Sequence, residues 1–185
     1  MSHRVCPWWL GYFLLNPFRR IAQNPRRILE PYVRDGMTVL EPGPGMGFFT
    51  LELLRLVGAS GQVIAVDIQP KMLAKLEHRA TKTGLAARLS ARLASPDSMN
   101  ISDLDRSVDF ILAFAVVHEL PDTLQFFTQV AAAAKPGAQL LLAEPSGHVK
   151  DARFESELRA AEKVGFAIVG NPAIRHSQTA LLMKA

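Results

Sequence analysis

From residue 36 onward, short apolar runs alternate with amphipathic stretches, and no other feature of the sequence restricts its fold so strongly. Val63-Ile64-Ala65-Val66, closed by Asp67, and the run Phe110–Val117 within a predicted strand over Val108–Val117 are apolar at successive positions rather than at every second one. Strands of that kind are buried on both faces and belong to a parallel sheet covered by helices on each side. Further strands are predicted over 38–41, 87–94, 139–143, 166–169 and 179–183. A helix is predicted over Gly47–Val57, with Phe48, Leu51 and Leu54 on one face. A second opens at Pro70 and closes at Gly84, as proline suits a first helical position and glycine a helix end. A third, capped by Asp122 or Thr123, places Leu124, Phe127, Val130 or Ala131, and Ala134 on one face and is broken by Lys135-Pro136-Gly137. A fourth begins at Asp151 with Phe154, Leu158 and Ala161 in a stripe and ends at Gly165. The last two strands are separated only by the nine residues Gly170–Gln178. A parallel crossover needs about a dozen residues or more, so the final strand returns antiparallel. The expected architecture is α/β, a three-layer αβα sandwich around a mostly parallel sheet.

At 185 residues, with no internal repeat and no linker, the chain reads as one domain over 1–185: an N-terminal segment, 1–34, and a core, 36–185. Hydrophobic residues at 49% and charged residues at 21% exclude a disordered or fibrous chain. The single cysteine, Cys6, excludes a disulfide framework and a cysteine-built metal site. The longest apolar runs are eight residues, against about 20 for a membrane-spanning helix. Asn16-Pro17-Phe18-Arg19 stands where a signal peptide would carry small residues, so a cytoplasmic setting is expected. Charge is concentrated at the start: residues 1–34 carry arginines 4, 19, 20, 26, 27 and 34 against Glu30 alone. Two roles fit a basic segment that also carries Trp8, Trp9, Tyr12, Phe13 and Phe18. It could pack its aromatics on the body and leave its arginines in water, or meet an anionic membrane surface or RNA.

Ligands of open α/β sheets lie beyond the carboxyl ends of the strands. The first strand ends in Glu41-Pro42-Gly43-Pro44-Gly45-Met46-Gly47. Alternate glycines let the backbone turn sharply and approach a ligand, and the helix start behind them offers free N–H groups to an anion. The G-x-G-x-x-G loop of dinucleotide enzymes has a longer last spacing. Glu41, two residues before the first glycine, would repel a pyrophosphate but receive an ammonium. The ligand is therefore expected to be zwitterionic, its ammonium at Glu41 and its carboxylate at the loop amides. Asp67 ends the second strand 24 residues after Gly43, where an acid accepts hydrogen bonds from a ribose diol. An amino acid joined to a ribose is S-adenosylmethionine.

Val39-Leu-Glu-Pro-Gly-Pro-Gly-Met-Gly47 resembles the first motif of the class I S-adenosylmethionine-dependent methyltransferases, the small stand-alone kind. Val63–Asp67 resembles their second motif, Val108-Asp109-Phe-Ile-Leu-Ala113 their fourth-strand motif, and Lys135–Glu144 the helix–turn–strand that follows. The resemblance spans roughly 25–185. It implies a Rossmann-like core with strand order 3-2-1-4-5-7-6, strand 7 antiparallel. It also implies that Glu41, Gly43, Gly45 and Gly47 hold the methionine portion, Asp67 the ribose, and Ile68 a face of the adenine. Asp97, twelve residues before Asp109, is favoured over Ser95 toward the adenine amine, both being kept as cofactor-binding candidates, and Ala113 is expected under the sulfonium. The product would be S-adenosylhomocysteine.

Methyl transfer is an in-line displacement that the protein promotes mainly by alignment, with a base where the acceptor must lose a proton. His118 and Glu119 follow the fourth strand, and Glu144 and His148 the fifth. His118, Glu119 and Glu144 are the catalytic candidates, and His148 joins Trp8, Trp9 and Tyr12 as substrate contacts. A histidine here could act as base, since it titrates near neutrality, or could simply bond to backbone at a strand end. No tight His or Cys spacing suggests a metal. The sequence has no Asn-Pro-Pro-aromatic motif, no Pro-Cys nucleophile and no cysteine set for arsenic. No subdomain is inserted between the fifth and sixth strands, so a substrate cover must come from 1–34 or from a partner. The expected function is S-adenosylmethionine-dependent methylation of a small-molecule or lipid-like acceptor. The alternatives are an RNA acceptor, or a non-catalytic binding module.

Overall fold

A computed structural model describes residues 23–185, which form two compact units, 23–100 and 101–185. Trp8, Trp9 and Tyr12 lie outside the described residues. The sheet has seven strands in the order β3-β2-β1-β4-β5-β7-β6, the expected order for an αβα sandwich.

The first unit holds α1 (Pro25–Leu29), β1 (Thr38–Pro42), α2 (Thr50–Leu56), β2 (Gln62–Asp67), α3 (Pro70–Lys82) and β3 (Leu89–Leu93). Both strand pairs are parallel: Glu41 lies opposite Ala65, and Asp67 opposite Leu93. β2 is buried from Val63 to Asp67, as its unbroken apolar run requires. Pro70 opens α3, which turns Met72, Leu73, Leu76 and Ala80 inward. Arginines of the basic segment close α1. Arg34 donates to the carbonyls of Glu30, Pro31 and Val33, and Arg26 pairs with Glu30 at 3.1 Å.

The second unit holds β4 (Val108–Phe114), α4 (Thr123–Ala133), β5 (Ala134–Pro145), α5 (Asp151–Lys163), β6 (Phe166–Gly170) and β7 (Ser177–Lys184). β4 and β5 run parallel, while β7 runs antiparallel to both β5 and β6. The connection between β6 and β7 is six residues, 171–176, shorter than the nine expected, and it returns the chain antiparallel as so short a gap demands.

Three local expectations are corrected. β4 stops at Phe114 and not at Val117, because Ala115 takes φ +55° and the chain turns into a short 3-10 segment, 117–119. β5 begins at Ala134, so the Lys-Pro-Gly break falls inside the strand, with Gly137 at φ +80° and a register shift opposite Val108–Phe110. On α4 the buried face is Phe126, Phe127, Val130 and Ala133, and Leu124 points to solvent. The Asp122 carboxylate caps the helix start, accepting from Gln125 N–H at 2.9 Å.

Phe127 is wholly buried on α4. Phe127→Ala is expected to cost about 3–5 kcal/mol through lost burial and the cavity left behind. Urea unfolding would show a lower midpoint at unchanged slope.

Candidate active site

In the first unit, the end of β1 is a buried acid beside a glycine loop. Glu41 is only 3% exposed, and its Oε2 has no hydrogen-bond partner among the described residues. Burial pushes this carboxyl up to about 8; the Thr50 hydroxyl draws it back down, and the neighbouring Asp67 carboxylate raises it further. A buried carboxyl of this kind is costly unless a cation meets it. Gly43 donates its N–H to Val66 O at 2.8 Å, which ties the loop to β2. Gly45 has φ +54°, and apart from its chain neighbours no atom of the described residues lies within 4 Å of where a Cβ would stand. Gly47 has φ +84°, a left-handed backbone that favours glycine, and a Cβ there would also crowd Leu76 Cδ1 at 2.5 Å. Arg79 Nη1 fixes the loop between them by donating to Met46 O. The regular helix α2 starts only at Thr50, so a turn and not a helix end follows the glycines.

Asp67 ends β2, and its Oδ1 accepts from Gln69 N–H at 2.9 Å. Ile68 is 41% exposed beside it, an apolar side chain open to a ligand. Ser95 and Asp97 sit on a tight exposed turn closed by Ser95 N–H to Ser98 O at 2.8 Å and Ser98 N–H to Ser95 O at 3.3 Å. An ammonium is the group that the orphaned Glu41 oxygen lacks, and the space at Gly45 is the room a backbone-hugging ligand needs. These residues therefore fit the amino-acid end of S-adenosylmethionine.

The second unit gathers the other candidates. Ala113 is fully buried in β4, next to the strand's last residue, Phe114. Glu144, 0% exposed at the end of β5, accepts from Val117 N–H at 2.8 Å through Oε1 and meets His118 Nδ1 at 2.5 Å through Oε2. An ionised carboxylate only accepts, so Nδ1 carries the proton and Nε2 is the basic nitrogen of the neutral ring. Glu119 Oε1 stands 4.0 Å from that Nε2, and the His148 ring meets the His118 ring edge-to-face at 5.2 Å. Burial lowers the His118 pKa, but the Glu144 hydrogen bond and charge, with the Glu119 and Glu157 charges, outweigh it and leave the imidazole raised. The structure thus brings together His118, Glu119, Glu144 and His148, which sequence spacing places near the ends of two strands.

Glu157 and Arg153 are not marked by the sequence as site residues, and Thr123 is marked there only as a possible helix cap. Glu157 is 0% exposed on α5, and its Oε1 accepts from Arg153 Nε at 3.1 Å. Arg153 Nη2 also donates to Thr123 Oγ1 at 3.2 Å. The buried stripe of α5 is Phe154, Glu157 and Ala161, whereas Leu158 is only half-buried. The available signal was the period itself: Glu157 lies three residues after Phe154 and four before Ala161, both on the buried face. Among the described residues no group of three or more His, Cys, Asp or Glu is arranged to hold a metal ion.

A methyltransferase-domain family matches residues 33–178, well over half of the chain. The chain belongs to that family, in the class I S-adenosylmethionine-dependent group with the Rossmann-like fold. It is similar to a SAM-dependent methyltransferase from Aquifex aeolicus of known crystal structure, with 25% identity, a TM-score of 0.85, and coverage of 98% of this chain and 100% of that one. It is 30% identical over 139 residues to the arsenite methyltransferase of Aquipseudomonas alcaligenes, covering 73% of this chain and 39% of that protein. It is 35% identical over 115 residues to the ubiquinone/menaquinone biosynthesis C-methyltransferase of Azotobacter vinelandii, covering 60% of this chain and 44% of that protein. The chain thus spans less than half the length of these two curated relatives.

The raised Glu41 carboxyl has a measurable consequence. Its proton is held more tightly in the fold (about 8) than at its ordinary value of 4.5, so stability falls as pH rises through that window. Glu41→Gln removes this slope. Without ligand, the variant is expected to match the parent protein near pH 4.5 and to exceed it by about 1 kcal/mol or more at pH 9, read from urea midpoints.

Proposed function

We propose that this chain transfers a methyl group from S-adenosylmethionine to a small-molecule acceptor that loses a proton in the reaction, with His118 as the base. The observation that carries this reading is the 2.5 Å contact between His118 Nδ1 and the buried Glu144 carboxylate. That pair holds one tautomer and leaves Nε2 basic, the arrangement a general base needs. S-adenosylmethionine, when bound, supplies an electrophilic methyl carbon on a sulfonium. Glu41 receives its ammonium, the Gly43–Gly47 loop gives its amino-acid end room, and Asp67 accepts from the ribose hydroxyls. Ile68 offers an apolar surface to the adenine, the Ser95–Asp97 turn a polar one, and Ala113 lines the sulfonium side. His118 takes the acceptor's proton, Glu144 stabilises the imidazolium that results, and Glu119 faces the newly protonated nitrogen. His148, ring against ring with His118, is a substrate contact.

The names of the two curated relatives support acceptors of small size. Arsenic(III) is a soft centre suited to thiolate ligands, and this sequence holds one cysteine, Cys6. A hydroxyl or an activated carbon suits the His118–Glu144 pair better, since each must give up a proton.

Calorimetric titration with S-adenosylmethionine and S-adenosylhomocysteine, with NAD as control, tests the ligand. Micromolar binding of both adenosyl ligands and none of NAD is expected. Affinity should rise between pH 6.5 and 8.5, because Glu41 must lose its proton to meet the ammonium; Gly45→Val should abolish binding by filling the open space. Full binding by that variant would overturn the placement of the ligand. With an acceptor in hand, His118→Asn is expected to lower kcat by about 10²–10⁴ while cofactor affinity stays unchanged. The activity of the parent protein should climb with pH through a midpoint above the ordinary histidine value, following the raised imidazole.

A further inference from the structure

The turn offered to the adenine stands on the surface: Ser95, Pro96 and Asp97 are all exposed. An exposed turn keeps one shape and one place only where other groups hold it. Ser95 N–H and its hydroxyl, at 3.3 Å, both reach Ser98 O, which closes the turn on itself without fixing where it sits. Its entry is fixed separately. Leu93 lies opposite Asp67 in the sheet, and Ala94 N–H donates to Asp67 O at 3.0 Å. The backbone of the acid proposed for the ribose thus carries the start of the turn. Asn100 secures the exit. Its Nδ2 donates to Leu93 O at 2.8 Å, seven residues back at the end of β3. Its N–H donates to Ser98 Oγ at 3.0 Å, and its carbonyl accepts from Arg92 Nη1 at 3.2 Å. Three polar groups of one residue therefore reach β3 twice and the turn once. The backbone at Asn100 has φ +54°, in the left-handed region. Asparagine tolerates that region better than most residues with a side chain, and its amide can bond to nearby backbone. Glycine would suit the backbone equally but would lose the bond to Leu93 O.

We propose that Asn100 is a positioning residue that holds the Ser95–Asp97 turn in register with Asp67 and thereby sets the protein's preference for adenine. The inference rests on the reading of that turn as the polar side of the adenine site. Asn100 acts through the turn and not on the cofactor. A hydrogen bond from the adenine amine to Asp97 contributes its full worth only where the carboxylate stands in place before the ligand arrives. A turn free to shift gives part of that worth back as the cost of being ordered. The clasp from Asn100 to Leu93 removes this freedom at the strand end where Asp67 faces the ribose. Ribose and adenine are then met by groups fixed to one another through the backbone of β2 and β3.

The test is a calorimetric titration of the full chain with S-adenosylhomocysteine and with the analogue that carries hydrogen in place of the adenine amine. The parent protein is expected to prefer the adenosyl ligand by about tenfold or more, the worth of a hydrogen bond to a charged group. Asn100→Gly keeps the left-handed backbone and removes the side-chain clasp. Asn100→Asp keeps the shape but turns a carboxylate oxygen toward the Leu93 carbonyl. In both variants the affinity for S-adenosylhomocysteine should fall about threefold to tenfold while that for the analogue changes little, so the preference shrinks toward one. A residue that merely stabilised the loop would lower the melting temperature and leave the ratio of the two affinities unmoved. That unmoved ratio in a folded variant would overturn the role of Asn100 and leave the turn as the adenine site. A parent protein that binds the two ligands equally, or binds neither, would overturn the reading of the turn and the role of Asn100 with it.

Discussion

A sheet buried on both faces has no place for polar side chains along its strands, so its chemistry is pushed to the strand ends. Here that constraint gathers carboxyls: Glu41 ends β1 beside Pro42, Asp67 ends β2, and Glu144 lies next to last in β5. All three are buried. A buried carboxyl must find partners or hold its proton, and the way each one does so determines what its half of the molecule can do.

Glu144 and Glu41 meet the constraint in opposite ways. Glu144 is satisfied within the chain, by Val117 N–H and the His118 ring, and through them fixes the turn after β4. The strained Ala115, at φ +55°, is part of the same construction: its N–H reaches Ala143 O at 2.7 Å, and the backbone reverses so that His118 can face the carboxylate. Among the described residues Glu41 has no such partner for Oε2, and it keeps its proton to unusually high pH. An unsatisfied buried acid destabilises the empty fold, and a cationic ligand relieves it. Stability is thus given up at one strand end for binding and spent at another on orientation, the pattern expected where a functional site breaks the rules that the rest of the core obeys.

Much of the architecture was legible because it follows from period and length. The unbroken apolar runs of β2 and β4 marked a parallel sheet, and the short gap before β7 marked its antiparallel return. Pro70 and Asp122 announced helix starts by their own backbone chemistry. Periodicity alone places Leu124 inward, whereas packing buries Phe126, Phe127, Val130 and Ala133 and leaves Leu124 exposed. The run Ala115–Val117 is apolar enough for a strand, yet a carboxylate 27 residues away claims the Val117 N–H and ends the ladder. Acids on helices usually face water, and only the neighbours of α5 make Glu157 a core position.

The sequence by itself determined the alternation of strands and helices, the antiparallel return of the last strand, the glycine loop with an acid before it, the acid at the end of β2, and the histidine after β4 with an acid after β5. These are matters of local pattern, because chain period, turn chemistry and spacing act over a few residues and need no distant partner. Only the tertiary structure decided which acids are buried, which oxygen of Glu41 is orphaned, and that His118 turns its Nδ1 to Glu144. Burial and hydrogen bonding depend on residues distant in the chain. The charge state of a carboxyl is set by the dielectric and the neighbours that folding supplies, and neither is written at its own position.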